Sequence, residues 1–359
     1  MNVEDLARRE ILELRRYETA KQVAGLVRLN ANEAPWPADG STRDGLNRYP
    51  EIRPLELHAR LAAHYCVSPD MILATRGSSE AIDLLIRAFC RANVDSIMVS
   101  PPTFGMYRVY ADIQGARTLT APLLANGEFA LDTASVLERC TAETKLVFVC
   151  SPNNPTGGLV PLSAVRELCL ARAHRSLVIV DEAYAEFSEA PSAISLFDDD
   201  SRRYSNLVVL RTLSKAYSLA GARCGAVVAC PTVVKLLSGI LAPYALATPV
   251  VECVLRSLEP PYVERARKAV GDILRERERL ALALRQCPEV VKVWPSRSNF
   301  LLVEFENLPE AERRLRAHRI LVREFAREAV LRNCARISVG KPQENDLLLA
   351  ALGAFAGRS

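Results

Sequence analysis

The chain has no Cys-x-x-Cys pair, no His-Glu-x-x-His run and no apolar stretch long enough to cross a membrane, and each absence removes a class of function. Its ten cysteines (66, 90, 140, 150, 169, 224, 230, 253, 287 and 334) are scattered. Several sit in apolar runs, such as Cys150 after Lys145–Val149, so they read as small core hydrophobes and suit a reducing, cytoplasmic compartment. The four histidines (58, 64, 174 and 318) neither pair with one another nor sit beside cysteines, so no metal site is expected. The N-terminus carries Glu4 and Asp5 early and lacks a signal-peptide core, which argues for a soluble chain. There is no long block of one charge: 46 basic and 42 acidic residues give a net +4, which leaves nucleic acid and membranes without support as partners. Arg313, Arg314 and Arg316 read as a solvated helix face. Internal repeats, long linkers and low-complexity tracts are also missing.

What is present is an ordinary globular composition, 49% apolar and 25% charged over 359 residues, enough for one large core and a smaller second one. An amphipathic arm or first helix over residues 3–16 leads to a short strand at Val27, an Asn- and Pro-rich irregular stretch to Pro37, the turn Asn47–Pro50 and a helix from Pro54 to Tyr65. Apolar strands then alternate with helices: strands at 71–75, 96–100, 118–120, 145–150, 177–180, 206–210 and 225–230, with helices over 81–90, 104–111, 132–139 and 162–173. Short continuous apolar strands separated by helices predict an α/β fold with a mainly parallel sheet covered by helices on both faces. Beyond Pro249 the pattern changes to a long charged helix over 261–286, strands at 290–293, 299–305, 320–322 and 335–339, and helices at 309–317 and from Gln343, which predicts a smaller α+β domain. The expected division is 1–47 as an N-terminal arm and part of the small domain, 48–250 as the large domain, and 251–359 as the small C-terminal domain.

Four strand ends carry loops that bear on chemistry: Gly77-Ser78-Ser79, Asn153-Asn154-Pro155-Thr156-Gly157, Asp181-Glu182-Ala183-Tyr184, and Ser214-Lys215 through Arg223. The first is equally an anion site at a helix start or a plain cap with Ser78 or Ser79 as N-cap. Lys215, taken alone, reads more readily as a solvated surface lysine than as a covalent anchor. Together the loops supply what a phosphorylated pyridine aldehyde needs. Asp181 can keep the ring nitrogen protonated, and Asn154 and Tyr184 can donate to the phenolic oxygen. Ser78, Ser79, Thr212, Ser214 and Arg223 can bind the phosphate. Lys215 can form a Schiff base and afterwards carry a proton.

The stretches Leu29–Glu33, Asn47–Pro50, Gly77–Asp83, Pro101–Tyr107, Ser151–Gly157, Val180–Tyr184, Arg211–Tyr217 and Arg336–Gly340 cover nearly the whole chain. In them the sequence resembles the fold-type I pyridoxal-phosphate aminotransferases of class II, and within these the histidinol-phosphate branch. The resemblance implies pyridoxal 5′-phosphate as cofactor, with Lys215, Asp181 and Tyr184 catalytic. It implies transfer of an amino group from glutamate to imidazole-acetol phosphate, giving histidinol phosphate and 2-oxoglutarate in histidine biosynthesis. It also implies a homodimer in which Tyr49 of one subunit reaches the cofactor phosphate of the other, and an aromatic ring at Phe104 stacked on the pyridine. Arg336, with Arg323 and Tyr17, would hold the substrate phosphate, and Asn154 lies beside it; for Arg323 and Tyr17 a purely structural part is an open alternative. Ser79, Phe104 and Ala34 stand where the family usually has Asp, Tyr and Asn. Those departures bear on substrate preference, with aromatic or broad-range transamination and a phosphothreonine-type decarboxylation as neighbouring activities. A non-catalytic ligand sensor of the same fold is a more distant alternative, disfavoured by the intact Lys215 and by the near-immediate start of the family's own arm.

Overall fold

The structure is a computed structural model describing residues 3–15, 20–23, 25–38, 45–125, 127–200, 203–325 and 328–353. Seven strands form the larger sheet: β1 (Ile72–Thr75), β2 (Ser96–Val99), β3 (Arg117–Thr120), β4 (Thr144–Cys150), β5 (Leu177–Asp181), β6 (Leu207–Thr212) and β7 (Gly225–Ala229). Their order is β1-β7-β6-β5-β4-β2-β3. The ladder from β6 to β3 is parallel, while β7 runs antiparallel to both β1 and β6.

The continuous apolar runs have a simple cause. Successive side chains of a strand point to opposite faces, so a strand covered on both sides must be apolar at every position. Val147, Val149, Val178, Val180 and Val209 enter one core, with residues of the helices Leu55–His64, Leu162–Ala171 and Thr248–Ser257. Their neighbours Leu146, Phe148, Ile179, Val208 and Leu210 enter the other, with the helices Gly77–Phe89, Met106–Gln114 and Pro231–Ile240. Each such side chain, fully buried, contributes about 1.5–3 kcal/mol.

A second, antiparallel sheet contains β8 (Val290–Val293), β9 (Phe300–Phe305), β10 (Arg323–Glu324) and β11 (Cys334–Ser338), in the order β10-β11-β9-β8. It shares a core with the helices Pro260–Leu284, Leu308–Ala317 and Pro342–Ala351.

Three expectations are corrected. The strand expected at Ile320–Val322 lies instead at Arg323–Glu324. Ile320 belongs to the end of the preceding helix: Arg319 adopts φ +60° and the Ile320 N–H reaches back to the Leu315 carbonyl at 2.9 Å, so the apolar residue closes a helix terminus. No strand forms at Val27, where Val27 and Leu29 are 85% and 91% exposed and no strand pairs with them among the described residues. The arm over 3–16 is not one helix but a 3-10 turn, Val3–Leu6, and a short helix, Arg9–Leu12, parted at Arg8, whose extended backbone donates to the Ala88 carbonyl. Val3 and Leu6 are buried against the larger sheet's core. Among the described residues no helix is long and apolar enough to cross a membrane.

Candidate active site

Three neighbouring parallel strands end together, β4 at Cys150, β5 at Asp181 and β6 at Thr212. The carboxyl ends of parallel strands are where open α/β sheets hold ligands. A pocket of about 600 Å³ opens there, lined by these three residues with Ser78, Ser79, Phe104, Asn154, Ala183, Tyr184, Ser214, Lys215, Ala220 and Arg223.

Asp181 is buried at the pocket floor. Its Oδ2 accepts from the Tyr107 hydroxyl at 2.8 Å and its Oδ1 from the Ala183 N–H at 3.2 Å. Burial pushes the carboxyl up to about 6; the Tyr107 and Ala183 hydrogen bonds pull it back, Glu182 adds to the rise, and the Lys215 ammonium opposes it. A carboxylate held this way is mostly ionised at neutral pH and suits a protonated ring nitrogen. Tyr184 is buried, edge-on to Phe300 at 5.2 Å, with the Lys215 Nζ 5.5 Å from its ring centre. Burial also lowers the Lys215 pKa, Arg336 and Arg223 lower it further, and Asp181 opposes them. Lys215 is exposed toward the open pocket, yet its ammonium is disfavoured, as an amine nucleophile requires.

The pocket also gathers groups that can bind an anion. The Thr212 hydroxyl donates to the Ser214 hydroxyl at 3.0 Å and accepts from the Ser214 N–H at 3.2 Å. Arg223, in a left-handed conformation at φ +55°, donates to the Ala220 carbonyl at 3.0 Å. The helix beneath begins at Gly77, not at Ala81, with Arg76 as its N-cap residue and no side-chain cap. This corrects the capping alternative: Ser78 and Ser79 are first-turn residues, whose backbone N–H groups have no acceptor within the helix. Gly77, at φ +77°, lets the guanidinium approach, because a methyl there would lie 3.0 Å from an Arg223 nitrogen.

The Asn153-Asn154 turn is tied down by contacts that sequence spacing does not reveal. Asn153 donates to the Pro102 carbonyl and to the Thr156 hydroxyl, both at 2.9 Å, and accepts from the Thr103 hydroxyl at 2.8 Å. It thereby locks the turn bearing Phe104 to the turn bearing Asn154. Arg336 donates to the Asn154 Oδ1, leaving the amide group of Asn154 as a donor, and lies 5.4 Å from the centre of the Phe300 ring. Beneath the site Arg211 pairs with Glu182 at 2.6 Å and Glu186 at 2.7 Å, which fastens β6 to the loop after β5. The only hints of these supports in the sequence are the Gly-Met-Tyr107, first-Asn153 and Asp-Glu182 positions inside the recognised motifs.

Three expected site residues do not line this pocket: Arg336, which meets it through Asn154, and Tyr49 and Arg323, which stand outside it. Tyr49 is half exposed and stacks on Tyr244 with ring centres 4.6 Å apart. Arg323 is exposed on β10, directly across the ladder from Arg336. Tyr17 lies outside the described residues. Among the described residues no cluster suited to a metal ion occurs.

The family model for aminotransferase class I and II matches residues 26–352. The chain belongs to this family. This aminotransferase is 41% identical over 352 residues to the histidinol-phosphate aminotransferase of Xylella fastidiosa strain 9a5c, covering 97% of this chain and 95% of that one. It is 41% identical over 347 residues to the corresponding enzyme of Stenotrophomonas maltophilia strain R551-3, covering 94% and 93%. Among solved structures it resembles histidinol-phosphate aminotransferase from Sinorhizobium meliloti in complex with pyridoxal-5′-phosphate, with a TM-score of 0.74, 25% identity, and coverage of 85% and 82%.

Proposed function

We propose that this aminotransferase uses pyridoxal 5′-phosphate to move an amino group from glutamate to imidazole-acetol phosphate, giving histidinol phosphate and 2-oxoglutarate. One observation supports a phosphate-bearing substrate above the others. Arg323 and Arg336 are directly opposed partners in the β10–β11 ladder, so both side chains lie on one face, and the Arg323 charge adds to burial in lowering the Arg336 pKa. Like charges so placed repel, and a shared dianion relieves the repulsion. The hydrogen bond of Arg336 goes to a neutral amide, so its charge is left for a ligand.

The pocket residues fit the cofactor. Asp181 would hold the ring nitrogen, Asn154 and Tyr184 the phenolic oxygen, Phe104 a ring face, and Ser78, Ser79, Thr212, Ser214 and Arg223 the phosphate. When bound, the cofactor supplies an electron sink for the substrate carbon that loses its proton. Lys215 anchors it covalently and then takes and returns that proton. Tyr184 and Asn154 orient the ring, and Arg336 with Arg323 and Tyr17 holds the substrate phosphate. The cycle is ping-pong, with glutamate and 2-oxoglutarate using the same pocket.

The working unit in this reading is a homodimer, with Tyr49 completing the partner's phosphate site. Its support is the string of exposed apolar side chains around Tyr49: Leu26, Val27, Leu29, Trp36 and Leu46 are 67–91% exposed in the single chain. The expected division is 1–47 as the arm with part of the small domain, 48–250 as the large domain and 251–359 as the small one; because Val254 and Leu258, in and just after the helix Thr248–Ser257, pack in the larger sheet's core, we place the boundary after Leu258 rather than at 250. A cytoplasmic setting suits ten free thiols.

The test is absorption spectroscopy of the reconstituted protein beside Lys215→Ala, before and after histidinol phosphate and then glutamate. The wild type shows the visible band of a lysine-bound cofactor, histidinol phosphate discharges it, and Lys215→Ala never forms it. Discharge by aromatic amino acids and glutamate but not by histidinol phosphate would overturn the substrate, and no band at all would overturn the cofactor.

A further inference from the structure

Tyr107 lies below the pocket and does not line it. It is 1% exposed, its ring is stacked on Phe148 of β4 with centres 4.7 Å apart, and Phe104 meets it edge-on at 5.5 Å. Its hydroxyl donates to Asp181 Oδ2 at 2.8 Å and also lies within reach of the Cys150 thiol. The ionisable groups that act on Asp181 include Glu182, Lys215 and Tyr184, with the Cys150 thiol packed beside it.

We propose that Tyr107 is a positioning residue for the amino transfer: its hydroxyl fixes the carboxylate of Asp181 and sets how firmly that carboxylate leaves the proton on the cofactor's ring nitrogen. The inference rests on the cofactor reading given above. A buried carboxylate that accepts a phenolic hydrogen bond is a weaker base than one that does not. Without the hydroxyl, Asp181 becomes the stronger base and draws the shared proton from the ring nitrogen toward itself. A ring that has lost this proton withdraws electrons less strongly, so proton removal from the substrate carbon slows. Because Tyr107 also abuts Phe104, one side chain braces the floor and one wall of the pocket.

The experiment uses holoenzyme loaded with pyridoxal phosphate labelled with ¹⁵N in the ring, comparing wild type, Tyr107→Phe and Asp181→Asn by ¹⁵N NMR. Phenylalanine keeps the stacking on Phe148 and removes only the hydroxyl. The wild-type signal is that of a protonated ring, Asp181→Asn gives that of a neutral ring, and Tyr107→Phe lies between them. Its kcat falls about tenfold, as one charge-assisted hydrogen bond can account for, with KM changed little. Replacing Tyr107 by 3-fluorotyrosine, a stronger donor of the same shape, keeps the signal protonated and covers the case in which Tyr107→Phe does not fold. A Tyr107→Phe signal identical to wild type, or a 3-fluorotyrosine protein that moves toward the neutral ring, overturns the proposal. Failure of the wild type to take up the cofactor would instead refute the reading on which it rests.

Discussion

Replacing Arg211 by methionine removes the cation that holds two carboxylates beneath the pocket. Arg211 donates to Glu182 at 2.6 Å and to Glu186 at 2.7 Å, with the three side chains only 9%, 5% and 15% exposed, and its guanidinium lies 5.0 Å from the centre of the Tyr65 ring. Methionine fills most of the volume, so the loss is chiefly electrostatic. Removing one partner of a buried pair costs about 3–5 kcal/mol, because the charges left behind keep their desolvation penalty. At about 1.3 °C per kcal/mol for a chain of this size, the melting temperature of the cofactor-free protein falls by roughly 4–7 °C. The deficit depends on pH with a definite sign. Carboxylates buried without a cation have folded-state pKa values above their unfolded ones, so they cost stability above the folded pKa and less as the pH falls through it. Differential scanning fluorimetry between about pH 5 and 8 reads both effects. The triple variant Arg211→Met, Glu182→Gln, Glu186→Gln supplies the control. Glutamine at 182 keeps one carbonyl acceptor for the Ser192 hydroxyl or the Ala193 N–H, which both bond to Glu182, so the triple variant recovers much of the loss. A single variant within about 1 kcal/mol of wild type, or a deficit that does not narrow in acid, refutes the uncompensated-charge argument.

His64 Nε2 and the Tyr217 hydroxyl are hydrogen-bonded at 2.6 Å, and burial, with the Arg211 and Arg267 charges, lowers the His64 pKa to about 4. A histidine whose folded pKa is depressed leaves stability intact above its unfolded pKa and erodes it as the pH falls from about 6.5 toward 4, so this part of the melting profile flattens in His64→Gln. A methyl at Gly157, where φ is +78°, would lie 2.5 Å from the Ser296 hydroxyl oxygen. Gly157→Ala should therefore lower stability by about 1–3 kcal/mol and weaken binding of pyridoxal phosphate, both measurable by thermal shift with and without cofactor, and an unchanged melting curve would show that the turn yields freely.

Much of the site could be read in the sequence because the pocket residues lie at or in the loops after strands whose apolar runs announce them. Asp181 closes β5 and Thr212 closes β6, and the parallel order of those strands then brings the motifs together. What could not be read are contacts between residues far apart in the chain. The Tyr107 hydroxyl and Asp181 are separated by 74 positions, and Asn153 reaches back 51 to Pro102. No periodicity encodes such pairings, which depend on how two loops pack. The misplaced strand has a different cause, since Ile320 and Val322 are apolar enough for a strand, but the helix end takes the Ile320 N–H first.

The charge balance of the pocket ties these parts together. Lys215 and Arg223 line it and Arg336 bonds to its Asn154, against the single buried carboxylate of Asp181. This excess of positive charge disfavours the Lys215 ammonium, and Arg336 and Arg223 are the charges that add most to the effect of burial. An anion seated against either arginine cancels that push. In the proposed reaction the same amine would thus be least basic when both anion sites are empty, when it would act as a nucleophile, and more basic once they are filled, when it would hold a proton. Two functions that call for different pKa values can in this way be served by one lysine, because the ligands themselves supply the change.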